Sequence, residues 1–96
     1  DQVLDYVADL AEATRKHVLI TLGLSPRGTL ALVRMAKAAA YMKERDYVIP
    51  RDVQEVFRDV AAHRMILDSK ARYQEKTARA ILTDILSEVP EPKVEG

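Results

Sequence analysis

Ninety-six residues are enough for one domain and too few for an enzyme built from two lobes. Fifteen Lys and Arg balance fifteen Asp and Glu, and a net charge of zero argues against a chain that lives on phosphate backbones. Hydrophobic residues make up 48% of the chain but aromatics only 5%, so the core is aliphatic, and the absence of Cys excludes disulfides, thiolate metal sites and thiol nucleophiles.

Thirteen Ala, ten Leu and only three Gly favour helices over strands. Over residues 3–14, Val3, Leu4, Val7, Leu10 and Ala11 fall on one face of a 3.6-residue period, opposite Asp5, Asp9 and Glu12. Acids lie toward the start of this stretch, with Arg15, Lys16 and His17 at its end, the order that the helix dipole prefers. Residues 18–22 (VLITL) are short, apolar and β-branched, compatible with a buried linker or a strand. A second such stretch, Met65, Ile66 and Leu67, could pair with the first as a small two-stranded ribbon.

Ser25 followed by Pro26 is a strong helix start, a hydroxyl N-cap ahead of proline at the first helical position. This second helix is expected to run to about Arg45. Apolar residues occupy nearly every side of it, and its polar strip passes through Arg34, Lys37, Tyr41 and Glu44. That pattern marks the central helix of the domain, with Val33, Ala36, Ala40 and the facing Phe57 buried. Pro50 opens a third helix with Asp52 in its first turn and Val53, Val56, Phe57, Val60 and Ala61 on one face. Residues 68–76 are polar and read as loop. Thr77 caps a last helix carrying Ala78, Ile81, Leu82, Ile85 and Val89, and Pro90, Pro92 and Gly96 mark a flexible tail over 90–96. The expected fold is all-α, a small four-helix bundle over residues 1–89, with the ribbon as an optional addition.

Catalytic chemistry is largely missing. His17 and His63 lie far apart in sequence and read as surface or helix-end residues, so no metal site is expected. Three Ser and no G-x-S-x-G turn leave no activated nucleophile, and no glycine-rich phosphate loop is present. Asp84 with Glu88, and Asp5 with Asp9, sit one turn apart as solvated faces. No apolar run approaches the roughly 20 residues of a membrane span and no secretory signal opens the chain, so a cytoplasmic location is expected. Because it opens on Asp1 rather than Met, the chain reads as a piece of a longer protein.

One place breaks a local rule. In GLSPRG, Arg27 falls in the first turn of the second helix, where the dipole disfavours a cation. The first-turn N–H groups and the guanidinium together would welcome an anion, phosphate in particular. The plainer reading is an exposed arginine, or one paired with Asp1 or Asp5.

The string GLSPRGTLALVRMAKAAAYMKERDYVIPRDV, followed by HRMIL, resembles the C-terminal lid of MoxR-type AAA+ ATPases. Gly23, Ser25, Pro26, Arg27 and Gly28 carry the specific part of the likeness. Arg45, Tyr47, Pro50, Asp52, His63 and Arg64 extend it, and Ala13, Thr14 and Arg15 match the upstream A-T-R. The chain departs from the family pattern at Leu24, where a small residue is usual, and at Glu44, where Gly is frequent. It departs again at Ile49, where a hydroxyl residue is frequent, and at 76–77, which lack the common Gly-Val or Gly-Ile.

The resemblance implies that Arg27 is the sensor-2 arginine, reaching the phosphates of ATP bound with Mg2+ in a neighbouring α/β core, with Ser25 and Pro26 supporting its helix start. The fragment alone, lacking Walker motifs, would be neither an enzyme nor an ATP or Mg2+ binder. The parent would be an ATPase, a ring-forming, chaperone-like protein that helps mature or insert metals into clients, as in methanol dehydrogenase activation. Expected partners are that core, neighbouring subunits of a homo-hexamer and an unknown client, with no nucleic acid. The alternatives are a histone-like or helix-turn-helix DNA-binding module, and a plain protein-interaction bundle.

Overall fold

The computed structural model describes residues 2–92. Five helices, α1 (Gln2–Lys16), α2 (Pro26–Met42), α3 (Pro50–Ala62), α4 (Ser69–Tyr73) and α5 (Ala78–Glu88), enclose a core of aliphatic side chains around Phe57. A two-stranded antiparallel ribbon of β1 (Ile20–Leu22) and β2 (Ile66–Leu67) closes one end, pairing Ile20 with Leu67. The all-α architecture and the optional ribbon are both present. The short α4 departs from the loop expected over 68–76: the Asp68 carboxylate accepts from the Lys70 N–H at 2.9 Å and caps a single turn that polarity alone does not reveal. Of the expected tail, 93–96 lie outside the described residues, while Glu91 accepts a hydrogen bond from Gln54 Nε2 at 3.4 Å.

The helix faces follow the apolar periodicity with two corrections. On α1, Leu4 is 50% exposed, while Tyr6 and Thr14, outside the expected apolar set, are buried. Tyr6 keeps its hydroxyl satisfied by accepting from Gln54 Nε2 at 3.2 Å. The second correction concerns α2, which is not enclosed on all sides. Leu32, Ala36 and Ala40 are buried and Val33 partly so, but Leu30 and Met35 are about half exposed, and Tyr41 and Met42 are 80% and 84% exposed. The helix that packs against α1, α2 and α5 together is α3, whose Val53, Phe57 and Ala61 are sealed from solvent.

The turn after α2 explains why that helix stops at Met42 instead of 45. The Arg45 N–H bonds the Ala40 carbonyl and the Glu44 N–H bonds the Tyr41 carbonyl, a Schellman ending that puts Glu44 in the left-handed region at φ 62°. The family's glycine at this place has a physical reason, since a side chain there costs about 1 kcal/mol or more. The same ending closes α4 with Glu75 at φ 54°. Glu44→Gly is therefore expected to raise stability by roughly 0.5–1 kcal/mol, read as an increase in the urea midpoint.

Beyond the turn, Arg45 grips the wholly buried Asp52 with two hydrogen bonds of 2.6 and 2.7 Å, and Asp52 also accepts from the Ile49 N–H at 2.9 Å. Asp52 thus supplies the N3 half of a capping box, while its own N–H bonds the Ile49 carbonyl in place of the hydroxyl that Ile49 lacks. The Arg45 hydrogen bonds are the main reason that the Asp52 carboxyl is held below the usual carboxylate range; burial opposes them. With the folded value below the unfolded one, this stabilisation is complete above the unfolded carboxyl range and is lost as pH falls through the folded value. Arg45→Ala is expected to cost about 3 kcal/mol by leaving a buried carboxylate short of its partner. It should also move acid unfolding, followed by circular dichroism, to higher pH.

Candidate functional site at the start of α2

The loop between β1 and α2 passes so close to the last turn of α1 that only glycine fits. A Cβ on Gly23 would lie 2.7 Å from Arg15 Cα, Arg15 N and Thr14 C, all rigid backbone. The contact is fixed by side chains on both neighbours. Thr14 Oγ1 donates to the Ala11 carbonyl at 2.6 Å and accepts from the Leu24 N–H at 2.8 Å, both bonds buried. Arg15 Nε donates to the Leu24 carbonyl at 2.9 Å. Thr14 and Arg15 therefore hold both backbone groups of Leu24, and the start of α2 is set relative to α1.

Leu24 itself is fully buried. Its bulk is matched by Gly28, where a Cβ would fall 2.7 Å from Leu24 Cδ1 and 3.3 Å from Arg64 Cδ. The large residue that departs from the family pattern is accommodated because its neighbour one turn on has no side chain.

Ser25 is the N-cap of α2, accepting from the Gly28 N–H at 3.1 Å, with Pro26 at the first helical position. Thr29 N–H bonds the Ser25 carbonyl, and Pro26 has no N–H, so among the described residues the first-turn N–H left without a partner is that of Arg27. The Arg27 side chain is exposed and makes no hydrogen bond or ion pair among the described residues. It is not paired with Asp5; Asp1 lies outside the described residues. Ser25, Pro26 and Arg27 thus sit together on one rigid turn, with the guanidinium unengaged.

His17 and His63 stay apart in role. His17 Nδ1 accepts from the Leu19 N–H at 3.1 Å, and His63 is the C-terminal cap of α3. Among the described residues no three His, Asp or Glu side chains gather as a metal-binding group, and no helix is long and apolar enough to cross a membrane. Sequence reasoning missed two functional supports, the hold of Thr14 and Arg15 on Leu24 and the pairing of Arg45 with Asp52. The A-T-R string was the one signal for the first, and the N3 acid after Pro50 the one signal for the second.

Comparison with known families decides what this turn belongs to. The sequence profile of the AAA lid domain matches residues 12–85, which includes the whole of α2 and its clasp. The chain belongs to the AAA lid domain family. Within that family, the lid is 39% identical over 92 residues to YeaC of Bacillus subtilis, a protein of uncharacterised function, covering 96% of the chain and 29% of YeaC. It is 35% identical to chaperone MoxR1 of Mycobacterium tuberculosis, covering 96% of the chain and 27% of that protein. The crystal structure of a protein assigned as an ATPase from Cytophaga hutchinsonii superimposes with a TM-score of 0.88 at 34% identity, over 97% of this chain and 31% of that one. The lid thus spans less than a third of each of these proteins.

Gly23→Ala tests the clasp directly. The added methyl must push apart backbone already in contact, so a loss of about 1–3 kcal/mol is expected in thermal or urea unfolding. A neutral effect would mean that the loop stands off α1.

Proposed function

We propose that this chain is the lid of a MoxR-type AAA+ ATPase and that Arg27 is its sensor-2 residue, contacting the terminal phosphate of ATP held by the rest of the parent protein. The observation that carries this reading is the unpartnered, exposed Arg27 on a helix start clasped to its neighbour, in a chain of the AAA lid family. When bound, ATP with Mg2+ supplies the phosphoryl group to be transferred. The lid's own contribution is a fixed cation. The guanidinium presents a planar fork suited to phosphate oxygens, and the clasp limits the motion that bringing it to bear would cost. Its location at a helix start costs a few tenths of a kcal/mol against the dipole in the free lid, a penalty that an anion bound there relieves. Because Thr14, Arg15 and Gly23 tie that turn to α1, a pull on Arg27 would be transmitted to the whole lid, which is how phosphate state would couple to lid angle.

In this reading residues 1–89 form the lid and 90–96 its tail. The parent works as a ring, a homo-hexamer in the expected form, and applies its ATP-driven motion to the maturation of a client protein, metal insertion included. The free lid supplies one arginine and one N–H toward a triphosphate, too few contacts for tight binding, and so should bind ATP more weakly than micromolar.

Mutation of the arginine in the full-length protein is the test. Arg27→Ala should leave the lid folded, since the side chain is exposed and makes no hydrogen bond or ion pair among the described residues, yet lower ATP hydrolysis by roughly tenfold to a thousandfold, the usual loss when a charged donor is removed from a transferring phosphate. Arg27→Lys should restore part of it, because a point charge does not reproduce the bidentate fork. Hydrolysis at the normal rate in Arg27→Ala would overturn the sensor assignment.

A further inference from the structure

Three arginines converge on the start of α2, and they are not used alike. Arg15 arrives from α1 and is engaged: its Nε donates to the Leu24 carbonyl at 2.9 Å, and its terminal nitrogens to Glu12 at 3.4 Å and to Thr29 Oγ1 at 3.5 Å. Arg27 belongs to the turn itself. Arg64 arrives from the far end of α3, directly after the His63 cap, where its N–H bonds the Ala61 carbonyl. Its side chain crosses to α2, since a Cβ on Gly28, the residue next to Arg27, would lie 3.3 Å from Arg64 Cδ. The bare Gly28 thus opens the path along which the hydrocarbon stem of Arg64 lies over the first turn. Arg64 is exposed and, like Arg27, makes no side-chain hydrogen bond or ion pair among the described residues. A cation just past a helix end gains from the dipole there, yet Arg64 donates to none of the last carbonyls of α3 and extends toward another cation. Two like charges on one turn, with no carboxylate bonded to either, are unfavourable for the lid alone, and an anion between them removes the penalty.

We propose that Arg64 is a second phosphate-binding arginine, which closes with Arg27 on the terminal phosphate of ATP and makes the lid select a triphosphate over a diphosphate. The inference rests on the reading that the start of α2 faces the nucleotide. Charge picks out the group: a terminal phosphate carries about two negative charges near pH 7, and Arg27 alone balances one of them. Each guanidinium fork can take oxygens of that group from its own side. In ADP nothing occupies that place, so both arginines lose their partner together. Arg64 differs from Arg27 in where it is rooted. Arg27 rides on the turn clasped to α1, whereas Arg64 stands between α3 and β2, so a phosphate held by both also ties α2 to that junction. The contacts offered by the free lid rise by one side chain, still too few for micromolar affinity in the isolated chain.

The affinities of the full-length protein for a non-hydrolysable ATP analogue with Mg2+ and for ADP, measured by calorimetry, test the assignment. Arg64→Met keeps an unbranched stem over Gly28 and removes the charge. It should weaken the analogue by about tenfold to a hundredfold, the range for a lost charged hydrogen bond, and leave ADP nearly unchanged, so that the ratio of the two affinities collapses. Arg64→Lys should recover part of that ratio, because it restores the charge without the fork. Equal weakening of both ligands, the mark of a structural arginine, overturns the proposal, and so does an unchanged affinity for the analogue. The two assignments fail separately. Normal hydrolysis in Arg27→Ala beside a collapsed ratio in Arg64→Met removes the Arg27 assignment and leaves Arg64 in place. Slowed hydrolysis in Arg27→Ala beside an unchanged ratio in Arg64→Met removes Arg64 alone.

Discussion

Everything at the working end of this lid depends on how closely residue 23 approaches the last turn of α1. With no room for a Cβ at Gly23, the chain leaves β1 pressed against Thr14 and Arg15, and those two side chains take up the N–H and the carbonyl of Leu24. Two buried or half-buried hydrogen bonds on one residue leave the helix start little freedom. Ser25 and Pro26 then set the first turn of α2, and Arg27 emerges from it in a fixed direction. A longer loop without the clasp at this place would have left the arginine on a swinging arm, with an ordering cost on every contact it made.

The opposite end of α2 is secured by different means. Arg45 and the sealed Asp52 join the turn after α2 to the first turn of α3, so the two ends of the long helix are pinned to different neighbours, α1 and α3. Pinned at both ends and packed along Leu32, Ala36 and Ala40, α2 behaves as a rigid bar whose outer face is left bare. That division accounts for the composition of the helix. Its small buried alanines serve close packing inside the domain, while Arg27, Arg34 and Lys37 and the exposed Met and Tyr side chains take no part in that packing.

Much of this was legible in the residues, and the failures have identifiable causes. Periodicity located α1, α2, α3 and α5, and Ser25-Pro26 and Thr77 marked true caps, because these are local signals. The face of α1 was misjudged at Tyr6 and Thr14, since a buried hydroxyl is satisfied by a partner far along the chain, here Gln54 and Leu24. The surroundings of α2 were misjudged for the opposite reason. An apolar pattern on nearly every side signals burial somewhere, without saying that the burying surface belongs to the same domain. The α4 turn escaped notice because an Asp cap on five polar residues leaves no periodic trace. Of the candidate site, Ser25 and Pro26 stood out as a strong helix start and Arg27 by its violation of the dipole rule, whereas the clasp that orients them joins residues ten apart and became visible only in three dimensions.

The central claim, that the clasped start of α2 aims Arg27 at the terminal phosphate, is tested most directly by a crystal structure of the full-length protein with a non-hydrolysable ATP analogue and Mg2+. The account predicts the Arg27 guanidinium at about 2.7–3.0 Å from oxygens of the γ-phosphate, with the bonds from Thr14 and Arg15 to Leu24 unchanged. An Arg27 left in solvent while another arginine occupies that place would contradict it.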